Sequence, residues 1–227
     1  LAPDGKGRVW AGGNDEVGYF DLYPDGIYRY TSLRDRLSAR AASIREVWRI
    51  LIRGDDVYFV ADECVLRWTG STMETIEVPN KRRLSGSVSG GRVFIGPNER
   101  GVLEIKGNEV VPLLSMDQLG GANLFSIECE PDGGYFAATS SGLVRWKDGR
   151  LTTLGAESNA YIAKHIINDL ARFPDGTLAV GTHMGGVVLV APDFTSFRVL
   201  STGQGLPSDS VSRVLVDRRG TLWVISD

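Results

Sequence analysis

The fold of this chain is decided by one stretch near its end, Val214-Leu-Val-Asp217-Arg-Arg-Gly220-Thr-Leu-Trp223-Val-Ile. Two apolar runs flank a turn that contains glycine, and an aromatic residue lies in the middle of the second run. This pattern predicts two antiparallel strands joined by a tight turn. Five related phrases precede it, and the position equivalent to Trp223 is occupied in them by Trp10, Phe59, Phe94, Phe136 and Ala179.

These positions recur at intervals of 49, 35, 42, 43 and 44 residues. A period of this size is typical of one four-stranded blade of a β-propeller. Each hairpin is followed by two further runs that are rich in β-branched and aromatic residues and bounded by Gly, Asp or Asn, which predicts a third and a fourth strand. The predicted fold class is therefore an all-β propeller of four-stranded antiparallel blades.

Further strands and close-packed glycines can be assigned from the same repeat. The third strands are expected at 18–22, 65–68, 101–105, 142–146 and 186–190, and the fourth strands at 26–30, 73–78, 108–113, 149–154 and 197–200. Glycines after the second strand are expected to allow backbones to approach closely, and they are Gly12, Gly96 and Gly181. Residues 162–167 have a brief helical pattern, but we interpret them as a loop that runs into a first strand.

Composition excludes several classes of protein. The 227 residues carry a formal net charge of −3 without a dominant basic patch, which argues against a nucleic-acid footprint. No run of about 18 apolar residues is present, so no direct membrane insertion of this segment is predicted. Because the chain begins inside a predicted hairpin, the lack of a signal peptide carries no information. Cys64 and Cys129 fall in repeats that are not neighbours, so both are predicted to be free thiols.

The last repeat also carries a family resemblance. Its residues Gly205-Leu-Pro-Ser-Asp-Ser-Val211, followed by Asp217-Arg-Arg-Gly220-Thr-Leu-Trp223-Val, resemble the repeat of the two-component regulator propeller family, G-L-P-x-[DNS]-x-V and D-x-x-G-x-L-W. The resemblance implies a seven-bladed, extracytoplasmic or periplasmic propeller in a bacterial signalling protein. In that family a β-sandwich, a membrane helix and an output domain follow, and the output is a histidine kinase, a diguanylate cyclase or a DNA-binding module.

Seven blades at this period need about 300 residues. The chain 1–227 is therefore expected to form one propeller domain that is incomplete at both ends, with about five blades of an expected seven. A partial propeller leaves an apolar blade face exposed, so we expect association, for example as a homodimer, or instability when the chain is isolated. The downstream domains of the same polypeptide are the other partners that the resemblance implies.

The loops between second and third strands and the loops between blades emerge on one face of a propeller. Ligand-binding residues are expected in these loops. Those selected are Asn14, Asp15, Glu16, Asn98, Glu99, Arg100, Tyr161, His165 and His183. The two histidines are the only ones in the chain and form a possible metal or acid–base pair, although lining or surface roles are favoured. No catalytic residue, metal site or cofactor is assigned, because no sequence motif for one is present.

The function that the resemblance implies is ligand sensing without catalysis by this segment, through a change in packing against the downstream domain. The ligand class stays open between a small polar molecule, a peptide and a glycan. Two alternatives also stay open. One is a propeller enzyme of the streptogramin-lyase or glycan-cleaving type, and the other is a scaffold that binds a protein.

Overall fold

The computed structural model describes residues 1–38, 44–62, 64–78, 85–96, 100–130, 132–217 and 219–226. The chain divides into two compact units, Leu1–Asp117 and Gln118–Asp227, here called unit 1 and unit 2. Within the described residues no helix combines the length and apolar character that crossing a bilayer requires.

Unit 1 contains three four-stranded antiparallel sheets. The first consists of β1 (Ala2–Pro3), β2 (Arg8–Gly13), β3 (Glu16–Leu22) and β4 (Tyr28–Ser32). The second consists of β5 (Val47–Arg53), β6 (Asp56–Ala61), β7 (Cys64–Trp68) and β8 (Met73–Glu77). The third consists of β9 (Ser85–Ser89), β10 (Arg92–Gly96), β11 (Val102–Lys106) and β12 (Glu109–Leu114). Short 3₁₀ turns lie at Arg34–Arg36 and, at the boundary of the units, at Asp117–Leu119.

Unit 2 contains two four-stranded antiparallel sheets and a hairpin. The fourth sheet consists of β13 (Leu124–Cys129), β14 (Tyr135–Thr139), β15 (Gly142–Lys147) and β16 (Arg150–Thr153). The fifth consists of β17 (Ile167–Arg172), β18 (Leu178–Thr182), β19 (Val187–Val190) and β20 (Phe197–Leu200). A 3₁₀ turn at Thr202–Gln204 precedes the hairpin of β21 (Val211–Val216) and β22 (Leu222–Ser226). One helix, α1 (Ala156–His165), connects the two sheets.

The predicted fold class is confirmed, because five sheets have four antiparallel strands in sequential order. The repeated central position lies on the second strand of every sheet, and in those five sheets its side chain is buried. Trp223 is the exception, since it is 59% exposed on the terminal hairpin. The total of seven blades stays a prediction.

Neighbouring sheets pack through apolar faces. In unit 1, Trp10 and Val17 of the first sheet lie in one core cluster with Phe59 and Leu66 of the second. In unit 2, Phe136 and Leu143 lie in one cluster with Val180 and Val188 of the fifth sheet. A single four-stranded sheet is too thin to enclose a core, so each sheet is stabilised by packing against its neighbour.

Two of the three predicted close-packed glycines show why they are needed. A Cβ atom added to Gly12 would lie 2.6 Å from Val47 Cγ1 on β5. A Cβ atom added to Gly181 would lie 2.9 Å from Val211 Cγ1 on β21. Both values are shorter than a permitted carbon–carbon contact, so glycine at these positions allows the first strand of the next sheet to approach.

The interpretation of residues 162–167 as a loop is wrong, because α1 extends through His165 and β17 begins at Ile167. The helix is fixed by Asn159, whose side chain replaces a strand partner for Leu143. Asn159 Oδ1 accepts the Leu143 N–H at 2.7 Å, and its Nδ2 donates to the Leu143 carbonyl at 2.7 Å. Glu157 in the first turn and Lys164 and His165 in the last turn also suit the helix dipole.

Cys64 and Cys129 are not joined in a disulfide, as predicted. The segment 33–47 contains the 3₁₀ turn Arg34–Arg36, and its residues 39–43 lie outside the described residues.

Candidate functional site

The predicted loop residues of the first sheet are used to attach it to the second. Asn14 forms a bridge with Glu46, and the Asp15 N–H donates to the Arg45 carbonyl at 2.7 Å. Asp15 Oδ1 accepts the Arg45 N–H at 2.9 Å. Both Asp15 and Arg45 have positive φ angles, which Asp tolerates better than most residues. These contacts give the turn a structural role between two blades.

Glu16 begins β3 and accepts two hydrogen bonds from β4. The donors are the Tyr30 hydroxyl at 2.9 Å and the Ser32 hydroxyl at 2.6 Å. Burial is the main cause that raises the pKa of Tyr30, and the Glu16 carboxylate adds to the shift. Glu16 is therefore already occupied within its own sheet.

Three predicted residues belong to the loop before β11. Asn98 and Glu99 lie outside the described residues, so their prediction stays untested. Arg100 is described and exposed.

The structure does bring together the three predicted residues of unit 2. The Tyr161 ring lies 4.4 Å from the His165 ring, centroid to centroid, and its hydroxyl donates to the Gly185 carbonyl at 3.2 Å. The His183 N–H donates to the carbonyls of His165 at 3.0 Å and Ile166 at 2.9 Å. The end of α1 is therefore tied to the β18–β19 turn through backbone groups. Among the described residues, no group of three or more His, Cys, Asp or Glu side chains is arranged to hold a metal ion.

A cavity lies between the first two sheets of unit 1, at the end opposite to the β2–β3 loop. It has a volume of about 870 Å³ and is formed by the turns between first and second strands and between third and fourth strands. Antiparallel connectivity places these turns at the far end of each sheet from the β2–β3 loop that carries Asn14, Asp15 and Glu16. We call it the inter-blade cavity, and it is lined by Asp4, Lys6, Gly7, Arg8, Trp10, Asp21, Leu22, Tyr23, Pro24, Ile52, Gly54, Asp55, Val57, Trp68 and Gly70.

The polar groups of the inter-blade cavity are partly paired with one another. Arg8 Nε and Nη2 donate to the two carboxylate oxygens of Asp21 at 2.7 and 3.0 Å. The Arg8 guanidinium carbon also lies 3.7 Å from the centroid of the Tyr19 ring. The hydrogen bond to Asp21 is the main cause that raises the pKa of Arg8. Lys6 forms an ion pair with Asp55, so one charged contact crosses from the first sheet to the second.

Two residues that line the inter-blade cavity, Trp10 and Asp4, each lack one kind of partner within the described residues. Trp10 is only 4% exposed, and its Nε1–H is buried without an acceptor within the described residues. Asp4 Oδ1 accepts the backbone N–H groups of Lys6 at 2.7 Å and Arg8 at 3.2 Å. Within the described part of the chain the Asp4 carboxylate has no ion pair.

Sequence reasoning selected the loop end of the sheets and missed this cavity. The signals were present, since Asp4, Lys6 and Asp55 all lie in turns next to a predicted second strand. They could not be grouped from sequence, because Lys6 and Asp55 are 49 residues apart and meet only when two blades pack. Trp68, which also lines the cavity, is buried in the core that the first two sheets share.

The sequence matches no protein-family model and no curated protein sequence. Solved structures give a clear likeness. Two structures of the extracellular domain of BT4673 from B. thetaiotaomicron, described as a hybrid two-component system and as a one-component system, align with TM-scores of 0.71 and 0.73. Both are 14% identical to this chain and cover 100% of it.

A third structure, YCF48 bound to D1 peptide, aligns with a TM-score of 0.61 at 14% identity over 96% of this chain and 71% of its own. The present chain spans 30% and 31% of the two extracellular domains, under one third of their length. At such identities the likeness establishes the fold alone. The likeness confirms the fold that the resemblance of the last repeat implied, because the aligned structures are extracellular domains of bacterial two-component and one-component systems.

Proposed function

We propose that this chain is a ligand-sensing propeller module of a bacterial signalling protein, acts outside the cytoplasm in the periplasm, and has no catalytic step of its own. The observation that carries the proposal is the inter-blade cavity, whose walls come from two adjacent sheets of unit 1. A ligand in it contacts both sheets at once. Its binding free energy can then favour one packing of the blades over another, which is the requirement for a signal.

The structural likeness to extracellular domains of two-component and one-component systems supports the location and the role. It also supports the expectation that further domains of the same polypeptide receive the signal. YCF48 bound to D1 peptide is an example of a similar fold that binds a peptide. Within unit 2, Tyr161, His165 and His183 remain a second proposed contact region.

The test measures the thermal unfolding midpoint of the purified chain against a panel of amino acids, amino sugars, neutral sugars and short peptides. A ligand at about 100 times its Kd stabilises the folded state by about 2.7 kcal/mol, which raises the midpoint by several degrees. Chromatography with mass spectrometry then follows the bound ligand over several hours. We expect a stabilising ligand to be recovered unchanged, and conversion of that ligand into a product would contradict a sensor without catalysis.

A further inference from the structure

The inter-blade cavity presents apolar side chains to solvent. Leu22 is 53% exposed and Tyr23 is 42% exposed, and both line the cavity beside Pro24. Ile52 and Trp68 add apolar surface from the second sheet. Apolar side chains that adjoin one another at a concave surface mark ligand-binding sites. The cavity therefore offers a ligand carbon surface from both sheets.

Three glycines keep the cavity open. Gly7, Gly54 and Gly70 lie in the turns that form it, and a Cβ atom added to any of them meets nothing within 4 Å. At Gly12, where the same two sheets pack closely, an added Cβ atom would lie 2.6 Å from Val47 Cγ1. The sheets therefore touch behind the cavity and leave free space at its turns. A volume of about 870 Å³ suits a ligand of drug size.

The cationic groups of the cavity are already held by carboxylates. Arg8 donates two hydrogen bonds to Asp21, and Lys6 forms an ion pair with Asp55. An anionic ligand would have to displace one of these carboxylates, and it would also meet the Asp4 carboxylate in the same cavity. Like charges repel one another. Binding of an anion is therefore disfavoured, and apolar contact is the interaction that remains for a ligand.

We propose that the inter-blade cavity binds a ligand without an anionic group, and that this ligand inserts a large apolar group, such as an aromatic ring, between the two sheets. This inference rests on the proposed function, because it names the ligand class for the same cavity. The apolar group contacts Leu22 and Tyr23 of the first sheet and Ile52 of the second, and it fills the space beside Gly54. Two sources supply this chemistry, a small aromatic molecule and a peptide with an aromatic side chain.

The experiment measures the affinity of the chain for matched probes by saturation-transfer NMR. N-acetyl-L-phenylalaninamide is uncharged and carries a phenyl ring, and N-acetyl-L-alaninamide keeps the same polar groups without the ring. We expect the phenyl probe to bind at millimolar concentration and the alanine probe to bind about tenfold more weakly or less, because burial of the ring is lost. N-acetyl-L-phenylalanine adds a carboxylate to the same ring, and it should bind several-fold more weakly at low salt than at high salt.

A further probe distinguishes the two sources. Benzyl alcohol carries the ring without the two amide groups of a peptide. Affinity equal to that of the phenyl amide supports a small aromatic molecule as the ligand, and weaker affinity supports a peptide.

Two variants locate the contact. Gly54→Asn places a side chain in the free space of the cavity, and asparagine tolerates the positive φ angle of this turn better than most residues. It should weaken binding of the phenyl probe about tenfold. Gly91→Asn is the matched control, because Gly91 lies in the same turn of the third sheet, also has a positive φ angle and also has open space around it. Leu22→Gln changes a half-exposed side chain of the wall, and it should weaken the phenyl probe several-fold without unfolding the chain. Circular dichroism checks the fold of each variant.

Several results would overturn the inference. Equal affinity for the phenyl and alanine probes would do so, and so would an unchanged affinity of the phenyl probe in both Gly54→Asn and Leu22→Gln. Lack of saturation transfer to the phenyl probe at about 20 mM, well above the millimolar affinity expected, would have the same meaning. A sugar that stabilises the chain when the phenyl probe does not bind would leave the proposed function standing and remove only this ligand class. Conversion of a bound probe into a product would instead contradict the proposed function and leave the apolar preference standing.

Discussion

Trp10 in unit 1 and Phe136 in unit 2 occupy the same place in their sheets, yet their surroundings differ. Phe136 lies between two blades in a filled junction, with the Phe194 ring 5.8 Å away and the Arg172 guanidinium carbon 5.4 Å from its centroid. Trp10 lies at the wall of an open cavity of about 870 Å³. The same repeat position therefore lies either between two packed blades or at the wall of a cavity.

The charged contacts between neighbouring sheets also differ between the two units, here in their exposure to solvent. In unit 1 the Lys6–Asp55 pair joins the first and second sheets, and both side chains are more than two thirds exposed. In unit 2 the Arg172–Glu128 pair joins the fourth and fifth sheets at 2.8 Å, and Glu128 is mostly shielded from solvent. Surface ion pairs contribute little to stability. The Lys6–Asp55 pair therefore adds little to the packing of the first two sheets.

The largest expected effect breaks the filled junction. Phe136→Ala should lower the free energy of unfolding by about 3 to 5 kcal/mol, because a buried aromatic side chain is replaced by a cavity. Trp10→Phe should cost about 1 kcal/mol, since it reduces volume but also removes a buried unpaired donor. Urea unfolding followed by circular dichroism measures both. A cost for Trp10→Phe as large as that for Phe136→Ala would show that both junctions are equally packed.

A smaller effect tests how closely the first two blades approach behind the cavity. Gly12→Ala should cost about 1 to 3 kcal/mol, because its Cβ atom would meet the Val47 side chain on β5. The neighbouring Gly13→Ala is the control, since an added Cβ atom there meets nothing within 4 Å. Its cost should stay within about 0.5 kcal/mol. Equal midpoints of thermal unfolding for the two variants would refute the close contact.

The smallest effect sharpens the electrostatic contrast, and it depends on pH. Burial raises the pKa of Glu128 above 4.5 despite Arg172, so its contribution to stability is present below pH 4.5 and is lost as the pH rises through the folded pKa. Two hydrogen bonds from Arg92 lower the pKa of Glu104 in unit 1. The contribution of Glu104 is present above pH 4.5 and is lost as the pH falls through the folded pKa.

Glutamine at each position should therefore act with opposite sign at pH 7. Glu104→Gln should destabilise the chain by about 1 kcal/mol, because glutamine keeps an acceptor oxygen for Arg92 but loses the charge that strengthens the hydrogen bonds, and this cost should shrink as the pH falls below 4.5. Glu128→Gln should stabilise it slightly at pH 7, and the gain should vanish near pH 4. Denaturation curves between pH 4 and pH 7 give both trends, and parallel trends in the two variants would contradict this assignment.

Much of the fold was predictable because its signals are local. Asp217, Gly220 and Trp223 lie within one hairpin, and such turns and alternating strands are specified by neighbours in sequence. The helix α1 was missed because its defining contact, Asn159 with the backbone of Leu143, joins residues 16 apart in two different elements. The pattern also did not predict the exposure of Trp223, because the equivalent residue is buried in each of the five preceding sheets.

The candidate site was also predictable only in part. Tyr161, His165 and His183 were predicted to lie in loops of one face, and the structure joins them through backbone hydrogen bonds and a ring contact, but Tyr161 and His165 lie on α1 and not in a loop. It gave no indication that Asp4, Lys6 and Asp55 surround a cavity.

The sequence by itself determined the blade period, the order of the strands, the free state of both cysteines and the positions where glycine must replace a larger side chain. Only the tertiary structure decided where two blades leave space between them and which charges meet there. The reason is that strands and turns follow from residues a few positions apart, whereas a cavity depends on how whole sheets pack, with turns separated by about 49 residues supplying its walls.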